Sequence, residues 1–134
     1  MTARALFPFT SSKLISGVIA GGLAAATIAV GMRDDASGWL AAAFAIAPDL
    51  TFLAGIGQPV EKGRMASRAI PFYNAAHSLI GPIALFAGAL ALGTNWSLMG
   101  AALAWATHIM VDRTVGYGMR GADGYQQSTS GSAR

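Results

Sequence analysis

The sequence has no cysteine, and only 11% of its residues are charged. The first absence excludes disulfides, thiolate metal ligands and every lipidation signal that needs a cysteine. The second excludes an ordinary water-soluble domain, in which about a quarter of the residues are charged. No glycine-rich phosphate loop, nucleophile elbow, haem motif or nucleotide motif is present. The excess of base is small, at +3, and the basic residues are scattered over the ends of apolar segments without forming a patch. Nucleic acid is therefore excluded as a partner.

What is abundant is apolar surface. Hydrophobic residues make up 54% of the 134 positions, and the mean hydropathy is +0.50. The length suggests one domain, and the composition points to an integral membrane protein whose principal partner is the lipid bilayer. Four apolar runs predict an all-α bundle of four transmembrane helices, over about 14–32, 37–57, 70–92 and 95–116. The first run carries no charge and is long enough to be a retained anchor; a cleaved signal peptide is the competing reading. Its Ser16, Gly17, Gly21, Gly22, Ala24 and Ala25 have the spacing of a helix-packing face. Pro48 interrupts the second run, and Gly81-Pro82 predicts a kink in the middle of the third. Gly116 and Gly118 end the fourth. Residues 1–13, with Arg4, Phe7, Pro8 and Phe9, read as an interfacial lead, and residues 119–134 as a disordered tail.

The basic residues sort by segment. Arg4 and Lys13 precede the first run, Lys62, Arg64 and Arg68 lie between the second and third, and Arg113, Arg120 and Arg134 follow or end the fourth. The positive-inside rule then puts both termini in the cytoplasm of a multi-pass protein of a bacterial inner membrane. Trp39, Trp96, Trp105, Tyr73 and Tyr117 read as interface or packing residues.

This topology predicts a shared depth. Asp49 lies seven residues before Ile56, His77 seven after Ile70, and His108 eight before Gly116. Each is then roughly 10–12 Å from the cytoplasmic end, with Asp112 about one turn shallower. Ionisable groups in a membrane are costly and normally face the bundle, where they pair. Asp49, His77, His108 and Asp112 supply two imidazoles and two carboxylates, a set suited to Zn²⁺, Mn²⁺ or Fe²⁺. His108 and Asp112 share a helix face at i, i+4 spacing, as do Asn74, His77 and Ser78 at i, i+3 and i+4. Asn74 and Tyr117 are candidate orienting residues, with Ser78 and Arg113 beside them. The bland alternative is a buried His-Asp pair that fixes helix packing, with Asp49 paired to Arg113 or capping the backbone freed by Pro48.

Ala47-Pro48-Asp49-Leu50, Tyr73-Asn74-Ala75-Ala76-His77, and the closing stretch from His108 through Asp112-Arg113 to Gly116-Tyr117-Gly118 resemble the marks of a bacterial membrane family, the domain of unknown function 4260. The resemblance runs from about Leu14 to Gly118. It implies four transmembrane helices and leaves the activity open. An acidic residue associated with the start of the family's first helix has no counterpart in Leu14-Ile15-Ser16-Gly17. Pro48-Asp49, His77-Ser78 and His108 with Asp112 also resemble, in order, the motifs of membrane-bound metal-dependent hydrolases. There a further acidic position is taken here by Thr51, and no N-terminal histidine is found.

Three classes of function follow. One is a metal-dependent hydrolase acting on a lipid-like substrate. Another is a small proton-coupled transporter, which with four helices needs a homo-oligomer. The last is a non-catalytic structural subunit.

Overall fold

In the computed structural model, residues 11–33 and 35–127 are described, and they form helices joined by short connections. Helix α1 spans Ser11–Gly31, α2 Asp35–Ile46, α3 Ile70–Ala76, α4 Ile80–Ala91 and α5 Trp96–Val115. A 3-10 segment, Ala47–Gly55, continues directly from α2. Among the described residues the only β-type pairing is an isolated bridge between Arg120 and Gln126. The interfacial lead expected over 1–13 lies mostly outside the described residues, and α1 already begins at Ser11.

Apolar residues surround α1 on all sides, which is the pattern of a helix with no water-facing stripe. Of its 21 residues only Ala20 is buried, while Leu14, Ile15, Val18 and Ile28 are exposed. Exposed apolar surface on this scale marks a membrane-embedded protein. Ser11–Gly31 and Ser37–Gly55 are each long and apolar enough to cross a membrane. Ile70–Ala76 and Ile80–Ala91, bent by 47° at their junction, add a third crossing if taken as one span.

Helix α5 has the opposite character. It carries Thr107, His108, Asp112 and Arg113, yet Gly100, Ala101, Ala102, Ala104, Ile109 and Met110 are buried. The reason is its position, since α1, α2 and α4 all pack along it. Small residues let them come close, as where Gly100 faces Val30 and Ser37. The side chain of Asn95 caps the first turn by accepting from Leu98 N at 3.0 Å, and Gly116 ends the helix at φ 103°.

Both expected irregularities occur, one of them displaced. The 3-10 segment starts at Ala47 with Pro48 in its first turn. The third run breaks at residues 77–79, a turn ahead of the kink expected at Gly81-Pro82. Pro82 has no N–H for the carbonyl of Ser78, so the ladder fails on its N-terminal side. Trp105 closes this break, with Nε1 donating to Ala76 O at 2.6 Å and the six-membered part of the indole lying against Gly81.

The chain beyond Gly118 corrects the expectation of a tail disordered from 119 onward. Residues 119–127 fold back over the connection between the 3-10 segment and α3. Met65 N donates to Gly124 O at 2.9 Å, Arg64 Nε to Asp123 O at 2.7 Å, and Tyr125 Oη to Glu61 at 3.1 Å. Backbone pairing holds this segment in place of apolar periodicity, and Gly124, at φ 84°, sits against Met65 and Arg64 where a side chain would not fit. Residues 128–134 lie outside the described region.

Candidate metal centre

Asp49, His77, His108 and Asp112 meet at one point. Each offers one ligand atom, and these four atoms lie within 4.8 Å of one another. His77 Nε2 is 3.6 Å from Asp49 Oδ1 and 3.3 Å from Asp112 Oδ2. His108 Nε2 is 3.5 Å and 3.6 Å from the same oxygens, and the two Nε2 atoms are 3.3 Å apart. A tetrahedral centre with ligand bonds of about 2.0–2.2 Å has ligand-to-ligand edges of about 3.3–3.6 Å. The five measured edges fall in that range, and the sixth, between the two carboxylate oxygens, is within 4.8 Å.

Local backbone breaks deliver these side chains. Asp49 follows Pro48 in the 3-10 segment, where the tighter winding turns it away from the α2 register. His77 is the first residue past α3, at φ −98° and ψ 10°. His108 and Asp112 stand one turn apart on α5.

The tautomers follow from the partners. His77 Nδ1 is 2.9 Å from Tyr73 O, and His108 Nδ1 is 2.8 Å from Ala45 O. A backbone carbonyl only accepts, so both Nδ1 atoms carry hydrogen and donate. In the neutral rings both Nε2 lone pairs then point into the cluster beside two carboxylates. Four acceptors converge with no donor among them. A single proton on one Nε2 satisfies part of the set, whereas one divalent cation satisfies all four at once.

Exposure grades the four candidate ligands. The side chains of His77 and His108 are 4% and 12% exposed, Asp112 23% and Asp49 54%. The imidazoles are therefore packed in place, and Asp49 is the ligand open to the surroundings. Tyr73 stacks on His77, with ring centroids 3.9 Å apart and planes at 20°, and the Arg120 guanidinium lies 5.7 Å from the centre of the Tyr73 ring.

Two of the residues expected to orient the cluster, Asn74 and Ser78, have other partners. Asn74 forms a two-way pair with Arg120, its Nδ2 donating to Arg120 O at 2.9 Å and its Oδ1 accepting from Arg120 N at 2.8 Å. It therefore anchors the C-terminal segment. Ser78 Oγ accepts from Ile80 N at 3.3 Å, in the turn that leads into α4. Arg113 and Tyr117 border a narrow crevice beside His77 and Asp112, and Tyr117 is half exposed. Asp49 faces the histidines and does not pair with Arg113.

The groups that do orient the imidazoles are main-chain carbonyls, which sequence reading missed. Ala45 O had a signal, because Pro48 ends α2 just past it and so denies it the α-helical donor Asp49 N. Tyr73 had one too, since it stands four residues before His77.

Comparison with known proteins matches residues 17–132 to the model of a family described as a domain of unknown function, DUF4260. No curated protein and no solved structure matches the chain.

Proposed function

Because the chain belongs to DUF4260, a family whose description assigns no activity, its chemistry rests on its own residues, and we propose that it is a membrane-embedded metal-dependent hydrolase acting on a lipid-like substrate. The observation that carries this is the convergence of two imidazole Nε2 atoms and two carboxylate oxygens within 4.8 Å of one another. Two imidazoles beside two carboxylates suit Zn²⁺, Mn²⁺ or Fe²⁺ better than the all-oxygen preferences of Mg²⁺ or Ca²⁺.

His77, His108 and Asp112 would hold the ion from packed positions, and a divalent ion there would supply a water made nucleophilic near neutral pH. Asp49, the most exposed of the four at 54%, is placed to accept a proton from the attacking water and to return it to the leaving oxygen of an ester as that bond breaks. The carbonyls of Tyr73 and Ala45 keep both imidazoles in the ligating tautomer.

The architecture that goes with this reading is four crossings with both ends in the cytoplasm of the inner membrane. In it α5 is the fourth crossing. Its polar residues are tolerable because three apolar helices sheathe it, and its 20 residues reach about 30 Å. Lys62, Arg64 and Arg68 on one connection and Arg113 and Arg120 after α5 support the orientation.

The test is metal content of the purified protein by mass spectrometry, alongside His108→Ala and Asp112→Ala. One equivalent of zinc in the parent and its loss from both variants supports the centre. A folded, metal-free parent sinks the hydrolase. Such a protein would leave a protonated His-Asp cluster, which serves a proton relay or helix packing.

A further inference from the structure

A crevice of about 450 Å³ between α1, α2 and α5 ends on His108 and Asp112. Its walls are Ala24, Thr27 and Ile28 of α1, Ala41, Ala42 and Ala45 of α2, and the α5 face from Ala104 to Asp112. The small side chains leave the space open. The two threonines add no polarity, because Thr27 Oγ1 donates to Leu23 O at 2.8 Å and Thr107 Oγ1 to Leu103 O at 2.7 Å. The wall is thus apolar until it reaches the ligands. It also opens sideways, since Ile28, Ala42 and Val111 are exposed at its rim.

The direction of the crevice matters. Helices α1 and α5 run antiparallel, with Gly17 beside Thr114 and Gly100 beside Val30. Asp112 lies toward the end that carries the 117–127 segment, and Ala104 about 12 Å further toward the opposite end. An amphiphile with its head at the ligands would therefore point its chain away from that end. A lipid of the adjacent leaflet already has this orientation. A second groove, beneath Ile83 and Leu90 between α1, α4 and α5, is apolar throughout and reaches no polar group.

We infer that the substrate is a phospholipid of the leaflet on the side of the 117–127 segment. It enters sideways between α1 and α2, lays one acyl chain along the crevice and presents its ester or phosphoester at His108 and Asp112. The inference takes its chemistry from the metal centre proposed above, while the seating of the chain is independent of whether metal is bound.

The experiment uses the full chain in nanodiscs containing phosphatidylethanolamine with a photoreactive diazirine, placed either at the end of one acyl chain or beside the glycerol. Cross-linked residues are mapped by mass spectrometry. The chain-end probe is expected on Ile28 and Ala104, and the glycerol probe on Val111. Ala42→Phe and Ala24→Leu, which fill the crevice from exposed or half-buried positions, should each cut this labelling at least fivefold. Labelling at Ile83 and Leu90 should not change, and neither should metal content. Equal labelling of both grooves, indifferent to the substitutions, would reduce the crevice to ordinary lipid-facing surface. Exchange of the two probe positions would overturn the assignment of leaflet. Metal-free protein that still labels the crevice would separate failure of the metal centre from failure of the lipid site.

Discussion

His77 and His108 face each other through Nε2 atoms 3.3 Å apart, while the Nδ1 of each is turned outward to a backbone carbonyl. Two neutral imidazoles in this relation present lone pair to lone pair, an arrangement that is unfavourable unless a cation lies between them. A chelator should therefore lower the unfolding temperature, and zinc should restore it. At a free metal concentration one hundred times Kd, the stabilisation is about 2.7 kcal/mol. Thermal scans in detergent with chelator, zinc and magnesium measure it. An unfolding temperature indifferent to all three would mean that the cluster is held by protons alone.

Pro48 is expected to matter through a residue it does not touch in sequence. It ends α2 at Ile46, ahead of the α-helical bond that Asp49 N would make to Ala45 O, and that carbonyl receives His108 Nδ1–H at 2.8 Å. Pro48→Ala would allow α2 to continue past Ile46 and bring Asp49 N into register as a competing donor. Loss of an orienting partner typically weakens metal binding by about 10- to 100-fold. A zinc competition titration should record that loss while the helical content stays unchanged. Unaltered affinity would remove the carbonyl of Ala45 from the account.

How far the sequence anticipates this arrangement depends on the residue. The clustering of Asp49, His77, His108 and Asp112 was legible, because helix rise converts position in an apolar run directly into depth. The breaks at Pro48 and ahead of Pro82 were legible in kind, since proline removes a known donor. The closure by Trp105 was not, because an indole reaching a carbonyl 29 positions away leaves no local pattern. The fold-back of 119–127 was hidden for a similar reason. It rests on backbone groups and on the side chains of Asn74, Arg64 and Tyr125, and composition does not register such pairings. Asn74 itself shares a helix face with His77, and that periodicity gives no sign of its pairing with the Arg120 backbone.

Asn74→Ala therefore separates the two roles. It removes both hydrogen bonds to the Arg120 backbone and leaves those two polar groups to find new partners, at a cost of about 1–3 kcal/mol. Hydrogen exchange should quicken across 119–127, and proteolysis there should become easier. Metal content should be unchanged. A loss of metal with normal protection of the segment would return Asn74 to the site.

The contact between Gly81 and Trp105 provides a test of how the broken span is held. Any side chain at Gly81 overlaps the indole ring, and the ring cannot withdraw without giving up its hydrogen bond to Ala76 O. Gly81→Ala should thus destabilise by about 1–3 kcal/mol, the usual cost of overpacking. Trp105→Phe should cost a similar amount, because it leaves Ala76 O unpartnered at the break. The smaller ring also makes room for the new methyl group. The double variant should then be less damaged than the sum of the two, with a coupling of about 0.5–3 kcal/mol. Unfolding of all four proteins in mixed detergent measures the cycle. Strict additivity would mean that the glycine serves the bend of the backbone and not the approach of the indole.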